Sequence, residues 1–213
     1  MRKEVIPIIL ALLLASLLGT GLVAARWIYT GRPAYLFLLW NLFLAWLPLL
    51  MALATEALRR LPPLALGPAL LWLLFLPNAP YLLTDLMHLG RWGNAPLWVD
   101  LLLLLIFGLT GLLLGFVSLE LMHGLVEDVL GRLAGWLFVV VALSLSSVGV
   151  YIGRFLRWNS WDALLQPAAV GGDLLILLQQ PWLHRQAYVF SLGLAAVLVC
   201  AYIALRLKPH API

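Results

Sequence analysis

The sequence predicts an all-α fold, a polytopic transmembrane helix bundle of about six spans, and three observations carry that prediction. The chain is 64% hydrophobic and only 10% charged. Its mean hydropathy is +1.05. Its apolar residues fall in runs of about 20, the length a helix rising 1.5 Å per residue needs to cross about 30 Å of hydrocarbon. A soluble domain carries about 25% charged residues, so a chain this poor in charge lacks the polar surface to clothe a water-soluble globule.

Residues 1–213 read as a single integral membrane domain. The net charge of +4 comes from 13 Lys and Arg against 9 Asp and Glu. The basic residues are scattered at the ends of apolar runs with no basic block, which argues against a nucleic-acid partner and for flanks of membrane spans. Cys200 is the one cysteine, so there is neither a disulfide framework nor a thiolate metal cluster.

In chain order, the first span covers residues 5–25. It is longer than the usual signal-peptide core of about 7 to 15 residues, so it reads as a span even though Arg2 and Lys3 precede it. The second covers 34–54. The third, 64–89, is broken: residues 64–76 supply about 20 Å of helix before Pro77-Asn78-Ala79-Pro80 interrupts them, too little to cross. The fourth, fifth and sixth spans cover 97–121, 133–153 and 187–207. Between the last two, 160–185 carries apolar pieces too short to span and reads as an interfacial segment. Gly111 and Gly115, Gly131 and Gly135, and Gly149 and Gly153 repeat a small-xxx-small spacing, which predicts close packing between the fourth and fifth spans.

An even number of spans puts both termini on one side. Arg2, Lys3, Arg59, Arg60, Arg132, Arg206 and Lys208 fall on that side, and Arg26, Arg32, Arg91, Arg154, Arg157 and Arg185 on the other. Seven against six favours cytoplasmic termini by the positive-inside rule. Trp27, Trp92, Trp98, Trp158, Trp161 and Trp182 gather on the face opposite the termini, as an interfacial aromatic belt does.

Polar residues concentrate on that face. After the break, Tyr81, Asp85 and His88 are spaced four and three apart and share one helical stripe. The restarted helix offers free N–H groups and a positive dipole end to an anion, or Asn78 simply caps it. Beyond the fifth span, Arg154 and Arg157 are three apart, so on a continuing helix both guanidinium groups point one way and can grip a phosphate or carboxylate. Trp158, Asn159 and Asp162 follow; Asn159 or Ser160 can cap a short helix with Asp162 in its first turn. Asp100, about a turn into the fourth span, is an intramembrane carboxylate that needs an Arg or His partner. These groups are expected to converge in one wet pocket beneath the headgroups. At the other end of the fourth span, Glu120 and His123 lie near Glu127 and Asp128, where ordinary solvation accounts for them.

The residues that carry this pattern are LPNAPYLLTDLMHL over 76–89, Pro96-Leu97-Trp98 with Asp100, and GVYIGRFLRWNSWD over 149–162. They resemble a bacterial family of multi-pass membrane proteins, domain of unknown function 1361. The resemblance implies residence in a bacterial cell membrane and supplies no biochemical activity.

Three functions compete. The first is an enzyme acting on a lipid or lipid-linked anionic substrate at the outer interface, with Asp85, His88 and Asp100 as catalytic residues and Asn78, Tyr81, Arg154, Arg157, Trp158, Asn159 and Asp162 as binding residues. A metal-dependent version takes Asp85, His88, Asp100 and Asp162 as ligands; which cofactor, if any, serves the site is open. The second is a small transporter or ligand-binding protein built on the broken third span and Asp100, for which alternating access with six spans requires a homo-oligomer. The third is a non-catalytic assembly protein in which the polar residues are interhelical glue.

Overall fold

A computed structural model describes residues 5–93 and 95–206. Arg2, Lys3 and Lys208, which entered the charge count, lie outside them. The described residues are almost entirely helical. The helices are α1 (Val5–Thr30), α2 (Phe37–Ala57), α3 (Pro62–Phe75), α4 (Asn78–Thr84), α5 (Leu97–Leu130), α6 (Arg132–Tyr151), α7 (Asp162–Leu165), α8 (Pro167–Gln179) and α9 (Arg185–Arg206). A 3-10 turn, Asp85–His88, continues α4, and a π turn, Ile152–Leu156, continues α6. Six stretches are long and apolar enough to cross a membrane: Val5–Thr30, Phe37–Ala57, Pro62–His88, Leu97–Leu130, Arg132–Leu156 and Arg185–Arg206. They match the six expected spans in number and order.

Leucine-rich helices with no charge in their middles satisfy every backbone group internally, which is what hydrocarbon demands. Large apolar side chains accordingly point outward, among them Leu14, Leu17 and Ile28 of α1, each more than 60% exposed. In water that would be an aggregation surface; in a bilayer it is the lipid-facing wall. Pro62 and Pro167 open α3 and α8 at positions where a missing N–H costs nothing.

The chain divides into two compact units, Met1–Met122 and His123–Ile213. In the first, α2 turns one stripe inward: Leu38, Leu42, Ala45, Leu49 and Ala52 are buried at helical spacing. They pack with Leu12, Val23, Leu82, Leu103, Leu104, Phe107 and Leu114. Because lipid tails are as apolar as leucine, this packing gains by close van der Waals contact and interhelical hydrogen bonds. Two such bonds are Trp46 Nε1 to Ser16 Oγ, 3.1 Å, and Trp72 Nε1 to Ser118 Oγ, 3.2 Å.

The break in the third span falls at Leu76 and Pro77, as the prolines predict. Both residues stay in the right-handed helical region, so α4 follows α3 with a shifted hydrogen-bond ladder and no reversal of the chain. Ala79 N–H donates to Leu76 O and Tyr81 N–H to Pro77 O, while Pro80 has no N–H to offer. The expected anion cradle at this helix start is therefore not formed. Asn78 serves the preceding helix: its Nδ2 donates to Phe75 O at 2.9 Å, satisfying a carbonyl left over at the end of α3.

The Gly111–Gly115 pair has a different partner from the one expected, while Gly135 serves the expected contact between the fourth and fifth spans. A Cβ on Gly111 would sit 2.7 Å from Ala79 O, and one on Gly115 2.9 Å from Ala79 Cβ, so these two glycines admit α4 against α5. In the second unit, α6 and α9 pack together. Gly131, at φ +84°, makes the one-residue turn between α5 and α6 in a conformation that suits glycine. Gly135 then lets α6 close on α5, because a Cβ there would lie 2.8 Å from His123 Cδ2.

Candidate functional site

Within the first unit, the end of α1, the start of α2, the 3-10 turn after α4 and the start of α5 bring one set of polar side chains together. Arg26, one turn before the end of α1, donates through Nε to Asp100 Oδ1 at 2.6 Å and through Nη2 to Oδ2 at 3.2 Å. The two side chains are only 1% and 2% exposed. A bidentate fork of this kind supplies direction as well as charge. The Arg26 guanidinium also lies 4.6 Å above the Tyr35 ring, and its Nη1 is buried without a hydrogen-bond partner among the described residues. Tyr35 donates its hydroxyl to Asp100 Oδ2 at 3.0 Å, with His88 O 3.3 Å away. Burial first, and the hydrogen bond to Asp100 second, push the Tyr35 hydroxyl well above its ordinary pKa, so it remains a donor. Tyr35 holds a left-handed backbone, φ +66°, which a bulky side chain adopts only where its surroundings fix it.

Beside this clamp lies a second pair. Asp85 is fully buried; Asn41 Nδ2, from α2, donates to its Oδ2 at 3.0 Å. His88 Nε2 stands 4.0 Å from Asp85 Oδ1, and the His88 side chain is 20% exposed. The exposed Arg91 brings Nη1 to within 3.3 Å of His88 Nδ1. Arginine only donates, so this contact requires an unprotonated Nδ1 and puts the imidazole proton on Nε2, toward Asp85. Phe37 meets the His88 ring edge-on at 5.2 Å and Trp92 tilts against it at 5.9 Å. Trp92 also packs on Tyr35 at 4.6 Å, so this tryptophan covers the cluster as well as facing the interface.

The three residues expected to be catalytic, Asp85, His88 and Asp100, thus occupy one cluster linked through Tyr35. Their environments differ. Asp100 is closed by Arg26 and Tyr35, whereas His88 keeps an open edge. The expected arginine or histidine partner of Asp100 is Arg26. Tyr81 is half-buried in α4, on the stripe that carries Asp85.

Of the residues expected to bind, Arg154, Arg157, Trp158, Asn159 and Asp162 lie in the second unit. Arg154 is half-buried in the π turn, but Arg157 is exposed and adopts a left-handed conformation, φ +63°, that ends the helix. The two guanidinium groups are therefore not held side by side by a continuing helix. Trp158 Nε1 donates to Asp173 Oδ2 at 2.7 Å, which ties the loop to α8. Asn159 donates from its backbone N, 2.6 Å, and from Nδ2, 3.1 Å, to Asp162 Oδ2, an ordinary turn that starts α7. No group of three or more His, Cys, Asp or Glu side chains is placed to hold a metal among the described residues.

Sequence reasoning missed Arg26, Tyr35 and Asn41. Asn41 did carry a signal, since an amide inside the apolar run Leu38–Leu44 must find a partner in lipid. Reasoning also misjudged His123. Far from being solvated, it is fully buried, with Nδ1 2.9 Å from the Tyr202 hydroxyl and Nε2 3.1 Å from Glu127 Oε1. Arg206 donates to Glu127 Oε2 at 2.8 Å and also contacts the His123 ring, and Trp136 meets that ring edge-on at 5.1 Å.

Six apolar helices of spanning length, stitched by buried polar pairs, define a multi-pass membrane protein. Residues 40–201 match the model of the family described as protein of unknown function, DUF1361, and the chain belongs to that family. The match takes in Asn41, Asp85, His88, Asp100 and His123 and leaves Arg26 and Tyr35 before it. No curated protein and no solved structure matches the chain.

Proposed function

We propose that the protein is a membrane enzyme that acts on a lipid or lipid-linked anionic substrate at the outer face of a bacterial cell membrane, with His88 as general base. One observation carries this reading: a fully buried Asp85, hydrogen-bonded by Asn41, stands behind a His88 that keeps an exposed edge beside the exposed charge of Arg91. Asp85 orients the ring and stabilises the imidazolium that forms when Nδ1 takes a proton. An anionic substrate group draws Arg91 off Nδ1, which frees that lone pair as the charge is bound. Chemistry and substrate recognition are thereby coupled in two adjacent side chains. Asp100 serves as the anchor that holds α1 and α5 in register.

Orientation follows from charge. With Arg26 paired to Asp100 and Arg206 to Glu127, neither counts as a free topological signal, and seven against six becomes six against five, which supports cytoplasmic termini. That supports an outward-facing cluster.

The test is turnover by the purified protein in defined lipid against a panel of phospholipids and lipoproteins. His88→Ala is expected to lose about a hundredfold or more, and Arg91→Gln to raise KM more than it lowers kcat. Equal turnover in His88→Ala removes His88 from the mechanism. A second reading, an assembly protein, is favoured by the full engagement of Asp85, Asp100 and Ser118 within the unit; it predicts that Asp85→Asn lowers stability in detergent with no separable activity.

A further inference from the structure

The geometry points to a binding site for a phosphate–ammonium zwitterion, the chemistry of an ethanolamine phosphate headgroup, in the cavity that the second unit opens where α5 turns into α6. The cavity measures about 400 Å³ and is lined by Glu127, Asp128, Arg132, Trp136 and Arg206. This is independent of the Asp85–His88 reading.

Depth comes from helix length. The 34 residues of α5 rise about 51 Å, well beyond the roughly 30 Å of hydrocarbon, so its charged last turn reaches headgroup level. Three lining side chains are tied together: Glu127 and Arg206 pair with each other and both contact the buried His123, and the Arg206 guanidinium lies 5.3 Å from the centre of the Trp136 ring.

The charge pattern selects the ligand. Two carboxylates repel a bare anion and two guanidinium groups repel a bare cation, so the wall suits a molecule carrying both signs. Glu127 and Arg206 satisfy each other. Arg132 and Asp128 are exposed and form no ion pair among the described residues, although both line the same cavity. Arg132 takes the phosphate as a fork, helped by the first turn of α6, which begins at Gly131 without a side-chain cap. Asp128 takes the ammonium. Such a zwitterion reaches the cavity either as the headgroup of a membrane phospholipid or as soluble phosphoethanolamine.

Native mass spectrometry of the full-length, delipidated protein with defined ethanolamine and glycerol phospholipids tests the site, and phosphoethanolamine serves as the soluble competitor. Wild type is expected to retain the ethanolamine lipid about tenfold more strongly than the glycerol lipid. Asp128→Asn is expected to erase that preference, and Arg132→Gln to weaken retention of both. Both side chains are exposed, and the wild-type headgroup comparison needs neither variant to fold. Displacement by phosphoethanolamine assigns the site to the free zwitterion, and resistance to it assigns the site to the lipid; either supports the proposal. Equal retention of the two lipids by wild type, or an unchanged preference in Asp128→Asn, overturns it.

Discussion

The two units each bury an arginine–carboxylate pair, and the pairs are built for different ends. Arg26 and Asp100 are almost wholly enclosed, with Tyr35 adding a third hydrogen bond to Asp100 Oδ2. Arg206 and Glu127 sit on a buried histidine but leave about a quarter of each side chain exposed on a cavity. The first arrangement leaves almost no charge exposed, whereas the second keeps part of its charge on the wall of a cavity. Full burial takes a charge out of a ligand's direct reach, and partial burial beside a void leaves it within reach.

The sharpest way to break this contrast is to remove one partner of the enclosed pair. Asp100→Asn strands a buried guanidinium and is expected to destabilise the protein by about 3 to 5 kcal/mol, read as denaturation in detergent micelles. The double change Arg26→Met, Asp100→Leu removes both charges and should recover most of that loss. If the double change costs more than the single one, the pair is not the clamp described here. In the second unit, His123→Ala empties a buried site and deprives Tyr202 and Glu127 of a partner, for an expected loss of about 2 to 4 kcal/mol by the same assay. Gly135→Ala pushes a methyl against His123 and is expected to cost about 1 to 3 kcal/mol, whereas Gly171→Ala, where a Cβ meets open space, should cost far less.

Tyr35→Phe gives the smallest effect, about 1 kcal/mol, from the lost hydroxyl bond to Asp100. It carries a pH signature. Burial raises the Tyr35 pKa above the ordinary 10.0, so the unfolded chain gives up this proton first. Stability from Tyr35 is therefore complete below about pH 10 and declines as pH rises beyond it. A denaturation series from pH 8 to 11 should show a steeper alkaline loss in wild type than in Tyr35→Phe; parallel curves would mean that Tyr35 is not the group responsible.

Span number, span order and the interruption at Pro77 were legible because hydrophobic length and proline chemistry act locally. Partners were not. Asp100 announced its need for a cation, yet Arg26 looked like one more flanking charge, since nothing local distinguishes a guanidinium in lipid headgroups from one folded back onto a carboxylate 74 positions away. His123 looked solvated for the same reason: Tyr202 and Arg206 reach it from α9, some 80 residues on. The failed arginine pair teaches the complementary lesson. Arg154 and Arg157 have helical spacing, but the left-handed turn at Arg157 ends the helix between them and the spacing loses its meaning.

The central claim is a division of labour within the first unit, in which Asp100 holds the fold and His88 does chemistry. It is tested most directly by measuring melting temperature and lipid turnover together for His88→Ala and Asp100→Asn in one lipid preparation. The account predicts that His88→Ala melts like wild type and loses about a hundredfold or more in turnover, while Asp100→Asn melts far lower. Loss of stability in both variants, with no activity that His88→Ala removes on its own, would contradict it.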